Sequence, residues 1–268
     1  MSDYKVSIII PVCNGEKYLK ETIESCVRQD YESLEVIIID DCSSDNSKNI
    51  ALNFENKNII FRYNKDNLGI NKTINDGIKI SKGDYVLVLG QDDVLPYNHI
   101  SNMIKEFDFE TIFIYCNSTI IDSNGIEKYV TYNDVNQAQI TQNIKFYLSK
   151  NNIISSTGLI FNKKKFLEVG GYNSQFKNYG EWLLWLKLLT KGKCKYSKSS
   201  MVYYRKHETN ITNSFSNKNV KKELNKYFNF CRKFAYKHFS YEFTLKEKIY
   251  IFIYYIYQSF KSYIKSIN

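Results

Sequence analysis

Six cysteines occur in the 268 residues, at 13, 26, 42, 116, 194 and 231, without a C-x-x-C pair or a regular spacing. That excludes the sequence pattern of a zinc ribbon or a disulfide scaffold, and the thiols are read as reduced, in a cytosolic protein. No G-x-G-x-x-G follows the first apolar run, which argues against a dinucleotide-binding dehydrogenase. No secretion signal opens the chain: "VSIIIPV" is too short and poorly flanked. The longest unbroken apolar run, Ile249–Tyr257, falls far below the roughly 20 residues that span a bilayer. Proline is scarce, at two residues, in a chain otherwise heavy in Lys, Asn, Ile and Tyr. That bias carries little functional weight.

What is present is an apolar content of 43%, enough for a substantial core, with 23 Tyr and 17 Phe. The formal net charge of +9 favours acidic partners such as phosphates or an anionic membrane. Apolar runs at Val6–Val12, Val36–Ile39, Ile59–Tyr63, Tyr85–Leu89 and Ile112–Tyr115 alternate with helical patterns at Glu16–Gln29, Ser44–Phe54, Ile70–Ser81 and Asn98–Phe107. Short βα alternation predicts an α/β fold with a mostly parallel sheet covered by helices on both faces. Ligands of such sheets bind beyond the carboxyl ends of the strands. "PVCNG" (11–15), "DDCSSDNS" (40–47) and "GQDDV" (90–94) then share one crevice, with Ser44 or Asp45 capping the second helix. The stretch 117–157 is polar and weakly periodic, an insertion or acceptor-side region with one helix near Thr141–Ser149.

Three groups of residues could carry chemistry. Asp92 and Asp93 sit side by side where a strand leaves the core, and like charges that close raise each other's pKa unless something positive joins them. A divalent cation with a diphosphate would serve; so would a helix N-terminus, and the Asp-Asp pair alone does not choose. The second pair, Asp40/Asp41, on the same edge tips the reading toward a nucleotide-diphosphate site. Glu181 opens the apolar helix of "GEWLLWLKLLTKG", either as a first-turn glutamate favoured by the helix dipole or as a base beside Trp182 and Trp185. In "VYYRKHETNIT", period two puts Arg205 and His207 on one side of an extended segment, suited to an anionic leaving group or, for the imidazole, to a metal.

In their order along residues 1–212 these segments resemble family 2 glycosyltransferases. "VSIIIPVCNGEKYLKETIESCVRQDYESLEVIIIDDCSSDNS" is similar to their opening and "DNLGINKTINDGIKISKGDYVLVLGQDDVLP" to the block ending in the metal-binding acidic motif. "GGYNSQFKNYGEWLLWLKLLTKG" is similar to the segment with the catalytic base, and "YYRKHETNIT" to the end of the domain. The resemblance implies the GT-A nucleotide-diphospho-sugar transferase fold over 1–215, with a nucleotide-binding half to about 116 and an acceptor half beyond. It implies a donor site of Pro11, Cys13, Asn14, Asp40, Asp41, Asp92, Arg205 and His207, with Mn²⁺ or Mg²⁺ on Asp92, Asp93 and His207. Glu181 takes the place of the base in an inverting transfer from a nucleotide sugar, UDP-linked by preference. The acceptor would be a hydroxyl of a saccharide or lipid-linked saccharide in surface-polysaccharide synthesis. Four positions depart from the pattern: Gly90 in the acidic motif, Cys13 for an aromatic, Ile74 for an arginine, and Gly180 before Glu181. They motivate the alternative of a degenerate nucleotide-binding relative serving as a partner subunit. A magnesium-dependent phosphoryl-transfer domain would explain Asp40/Asp41 but leaves Glu181, Arg205 and His207 without roles.

From about residue 216 the chain turns basic, aromatic and helical. The two readings are helices packed on the catalytic domain or a partner subunit, and helices docked on the cytoplasmic face of a membrane, where Tyr and flanking Lys are at home. A homo-oligomer stays open. Nucleic acid is not expected, because the basic excess sits mostly in these helices.

Overall fold

The computed structural model describes residues 4–54, 58–131, 137, 140–176, 179–210, 212–213 and 218–267; the boundary expected near residue 215 lies outside them. Strand β1 (Val6–Val12) is apolar on both faces because both are covered. Its even residues Ile8 and Ile10 pack with Leu19, Ile23 and Cys26 of helix α1 (Leu19–Val27), while Ile9 packs with Ile74 and Ile78 of α3 (Ile70–Ile80). The same alternation repeats in β2 (Leu34–Asp40), where Val36 and Ile38 face one layer and Ile37 and Ile39 the other. Each such isoleucine contributes about 2 kcal/mol by burial.

With β3 (Ile59–Tyr63), β4 (Tyr85–Val88), β5 (Thr111–Ile121), β6 (Glu127–Val130), β7 (Ile160–Asn162) and β8 (Lys193–Arg205), these strands form one sheet in the order β3-β2-β1-β4-β7-β5-β6, and β8 pairs with β5. Neighbours among β1–β4 are parallel, as are β5 and β8; β7 and β6 run antiparallel to their partners. The register sets Val12 beside Asp40, so the loops after β1 and β2 leave the sheet together. The loop after β4 joins them, held by a bridge between Val94 and Tyr203 of β8.

Helix α2 (Ser47–Leu52) starts later than the pattern suggested. Asp45 still caps it in effect, its carboxylate accepting from the Ser47 N–H at 3.0 Å and the Glu16 N–H at 2.9 Å. The larger departures are β5 and β8. Asn117, Ser118 and Thr119, read as the start of a polar insertion, are buried in β5, because pairing to β8 and β6 satisfies their backbone while the Ser118 and Thr119 hydroxyls meet Ser155 and the Met201 sulfur, each at 3.2 Å. In β8 the polar run from Lys193 hides a strand that only its last residues signal.

Helices α5 (Ile144–Leu148) and α7 (Glu181–Leu188) cover the sheet near its β5 side, with α6 (Lys163–Glu168) following β7. The C-terminal region joins this layer. Helix α8 (Lys218–Phe239) buries Leu224, Tyr227, Cys231, Ala235 and Phe239, one stripe at spacings of three and four whose last four members join the cluster of α5 and α7. A reciprocal Thr244–Glu247 capping box then starts α9 (Leu245–Ile267).

Helix α4 (His99–Ile104) is pinned at its start by a buried imidazole. His99 Nε2 lies 2.8 Å from the Gly158 carbonyl oxygen and so donates to it, leaving Nδ1 to accept from Ser200 at 2.7 Å. Gly158 has φ +73°, and a Cβ there would meet Val202 at 2.3 Å, so only glycine delivers that carbonyl. Burial lowers the His99 pKa from 6.5 to about 4. The unfolded chain therefore binds this proton first, and the contribution is present above about pH 6.5 and lost as pH falls toward 4, amounting to about 3 kcal/mol. Urea unfolding from pH 7 down to 4 checks it. His99→Gln is expected to be less stable at pH 7 and to show a flatter pH dependence; parallel curves would remove the assignment.

Candidate active site

A crevice of about 1030 Å³ opens beyond the carboxyl ends of β1, β2 and β4 and extends to α7 and α8. At the β1 end it is lined by Pro11, Cys13 and Asn14. Asn14 has φ 53°, a conformation asparagine tolerates, and its side-chain oxygen accepts from the Ser44 N–H at 2.8 Å, joining the first two loops. Cys13 is exposed, with its thiol pushed up by partial burial and then by Asp41 and Asp40. Asp41 folds the next loop around itself: it accepts from Asn64 and the Leu68 and Gly69 N–H groups, each at 2.9 Å.

The loop after β4 resolves the adjacent carboxylates by giving them different partners. Asp92 Oδ2 meets His207 Nε2 at 2.8 Å and Asn210 Nδ2 at 3.1 Å. Asp93 turns inward, buried, accepting from the Arg205 N–H at 3.0 Å and the Thr157 hydroxyl at 3.4 Å. Dehydration, and then the charge of Asp92, hold its carboxyl well above the ordinary range. Gly90 is part of this arrangement: a Cβ there would lie 2.9 Å from both Asp92 Oδ1 and Asp93 Oδ2.

Two expected donor-site residues stand behind the wall instead of on it. Asp40 is fully buried and accepts from the Ser43 N–H at 2.7 Å, shaping the turn after β2. Arg205 is 1% exposed, and each guanidinium nitrogen is engaged within the protein: Nε donates to the Asp92 carbonyl (2.9 Å), Nη1 to the Asp122 carbonyl (3.3 Å) and Nη2 to Glu21 (2.6 Å), with its face on the Tyr18 ring. Period two placed Arg205 and His207 on the same side, and both do reach Asp92, but through its backbone and its carboxylate respectively. Among the described residues, Lys17 and Lys206 line the crevice together with the His207 imidazole.

Tyr18, Asn210, Gln91 and Ser156 are site residues that the sequence reading passed over. Tyr18 packs its ring 4.8 Å from that of His207. Gln91 bridges to the Cys13 backbone with both ends of its amide. Only Asn210 left a trace, as the polar residue three positions after His207 whose side chain accepts from the His207 N–H.

Across the crevice Glu181 begins α7, half-buried, among Tyr172, Tyr204 and Tyr227. Dehydration pushes its carboxyl above the usual glutamate value, against a hydrogen bond to Ser156. The phenols of Tyr172, Tyr204 and Tyr227 are raised, first by burial and to a lesser degree by the Glu181 charge, so they stay neutral donors. Chemically, the site sets a carboxylate able to accept a proton on one wall opposite the Asp92–His207 pair on the other. Among the described residues no group of three or more His, Cys, Asp or Glu gathers as a metal cluster. Asp92 and His207 nevertheless fit a hard divalent ion, since neighbouring ligands at about 2.1 Å lie about 3 Å apart and diphosphate oxygens complete the shell.

Residues 7–170 match the family model "Glycosyl transferase family 2". This chain belongs to that family and is a glycosyltransferase. An uncharacterized glycosyltransferase of Rickettsia prowazekii is 30% identical over 215 residues, 79% of this chain and 67% of the relative. WfgD of Escherichia coli, a UDP-Glc:alpha-D-GlcNAc-diphosphoundecaprenol beta-1,3-glucosyltransferase, is 32% identical over 140 residues, 50% of this chain and 55% of its own. The crystal structure of S. aureus TarS 1–349 with UDP-GlcNAc superposes with a TM-score of 0.66 at 20% identity, covering 91% of this chain and 77% of that TarS 1–349 chain, which supports the GT-A fold. The matched span ends before Glu181, Arg205 and His207, whose roles rest on their geometry.

Arg205→Lys keeps the charge but cannot reach three acceptors, leaving the Asp92 and Asp122 carbonyls short of donors. A stability loss of about 2 kcal/mol is expected in urea unfolding, with nucleotide affinity falling less than in His207→Ala. Greater loss of nucleotide binding in Arg205→Lys than in His207→Ala would instead put the guanidinium in the crevice.

Proposed function

We propose that this glycosyltransferase inverts the anomeric centre of a nucleotide-diphosphate sugar, UDP-linked by preference, as it transfers the sugar to a hydroxyl of a saccharide or lipid-linked saccharide in surface-polysaccharide synthesis. The observation that carries this reading is Glu181, dehydrated and raised in pKa, facing the crevice whose other wall holds the Asp92–His207 pair. The lipid-linked saccharide that WfgD acts on and the UDP-GlcNAc held by TarS support the choice of acceptor and donor classes.

Glu181 takes the proton of the acceptor hydroxyl as its oxygen bonds to the anomeric carbon. The bond from that carbon to the diphosphate breaks on the opposite face, and the electron pair leaves with the nucleoside diphosphate. Lys17 and Lys206 receive that charge beside the His207 imidazole, which the Tyr18 ring and the Thr209 hydroxyl hold in place. Asp92 and His207 would hold Mn²⁺ or Mg²⁺, with Asp93 supporting the loop from behind; a bound divalent ion supplies further neutralisation of the diphosphate. Cys13, Asn14 and Asp41 form the nucleoside end, with Pro11 beside them.

The exposed face of α9 supports docking on an anionic membrane surface. Phe252, Ile253 and Ile256 are 64%, 60% and 55% exposed, while Ile251 on the opposite side is buried. A helix apolar all round has a cover. Eleven Lys and Arg against three Glu occur from residue 218 onward, which favours anionic headgroups as that cover. Among the described residues no helix is long and apolar enough to cross a membrane.

Glu181→Gln is expected to lower transfer about 10³-fold with nucleotide affinity retained. In the unsubstituted enzyme the acid limb of kcat/KM should lie above the ordinary glutamate value of 4.5, activity falling as pH drops through the raised pKa. Full transfer by Glu181→Gln would end the base assignment. Flotation with phosphatidylglycerol vesicles tests docking: a triple Phe252→Ser, Ile253→Ser, Ile256→Ser variant should stay at the bottom of the gradient where the parent floats, and equal flotation contradicts the surface.

A further inference from the structure

Helix α7 begins without a cap of its own. Its N-cap residue is Gly180, which has no side chain to accept from the first-turn N–H groups. At eight residues the helix has few internal hydrogen bonds to keep that turn closed, and Glu181 is its first residue. The missing acceptor comes from another helix: the Tyr227 hydroxyl of α8 accepts from the Leu183 N–H at 3.0 Å. In position and chemistry this replaces the side-chain oxygen that a Ser or Asp at Gly180 would offer.

Tyr227 is held so that it can do little else. It is 3% exposed, with ring centroids of Phe176 at 4.6 Å, Tyr179 at 5.6 Å and Phe228 at 5.9 Å. Its hydroxyl also hydrogen-bonds the buried Cys231 thiol one turn further along α8, which turns an oxygen lone pair to Leu183. The same ring lines the crevice with Leu224 and Phe228, and Glu181 is among the charges it senses.

We infer that Tyr227 is a positioning residue for Glu181: a cap supplied by the C-terminal region of the same chain that fixes the first turn of α7 and with it the carboxylate. This rests on Glu181 being the base, and it makes α8 a working part of the active site, beyond the span shared with the family model. Without the hydroxyl, the Leu183 N–H is released next to Glu181. It then competes for the carboxylate, favours its charged form and lets the turn fray.

Tyr227→Phe keeps the ring and removes the hydroxyl, and with it the acceptor for Leu183 and the bond to Cys231. With a UDP-sugar and acceptor, kcat is expected to fall roughly tenfold while donor KM stays within about twofold, and the acid limb of the pH profile moves to lower pH. Hydrogen exchange at the Leu183 amide should quicken by about tenfold with the thermal midpoint little changed. Unchanged kcat and an unmoved acid limb, with the amide exchanging faster, would reduce Tyr227 to a structural cap and overturn the inference. Glu181→Gln in the same assay separates the two claims. If it abolishes transfer while Tyr227→Phe does nothing, the base stands and the positioning role falls. If Glu181→Gln transfers normally, the base reading itself has failed.

Discussion

Arg205 ties together three parts of the chain that share nothing in sequence: Glu21 of α1, Asp92 in the loop after β4, and Asp122 at the end of β5. Its own backbone N–H holds Asp93. A buried guanidinium needs partners for its charge and its donors, and here three acceptors, one of them the Glu21 carboxylate, and an aromatic face supply them. The consequence is geometric. Once Arg205 is fixed at the last residue of β8, His207 two residues later must lie against Asp92, and the corner of the crevice forms. The pairing of β5 with β8 along their lengths delivers Arg205 to this point, which is why the longest strand of the sheet ends at the site.

The adjacent carboxylates show how one motif divides into two jobs. Asp92 faces the crevice, paired with an imidazole and an amide. Asp93 carries the cost of burial and is partnered by a backbone N–H and a hydroxyl, neither of which can serve a ligand at the same time. Gly90, which looks like a loss when set beside an acidic motif, gives the loop the room for both side chains to fold back on it. A substitution read as degeneration is thereby explained as local packing.

Much of the fold was legible because the parallel strands and their covering helices obey simple periods: β1, β3 and α3 begin and end within a residue of where the pattern puts them. Strand β5 and the first half of β8 were not, because their polar residues are stabilised by partners far away in the chain. At the site, Asp92 and Asp93 stood out as a strand-end pair, whereas Glu181 and His207 had equally ordinary structural readings and were singled out by the family resemblance. Asp40 and Arg205 were assigned to the ligand by type, and only three-dimensional neighbours reveal that one shapes a turn and the other braces the wall. Tyr227 left no signal at all, since a tyrosine in a basic aromatic helix is indistinguishable from its many neighbours.

The C-terminal helices look like an appendage in composition and behave as part of the core in packing, with α8 closing the crevice and α9 turning an apolar face outward. The account as a whole hinges on the corner made by Asp92 and His207. The chain has three histidines, His99 in the core, His207 in the crevice and His238 at the end of α8. Proton NMR of the histidine rings during titration of the UDP complex with Mn²⁺ therefore isolates that corner. Paramagnetic broadening of the His207 ring first, with His99 and His238 left sharp at low metal, is the predicted result. Broadening that spares His207, or that strikes His238 instead, would contradict it.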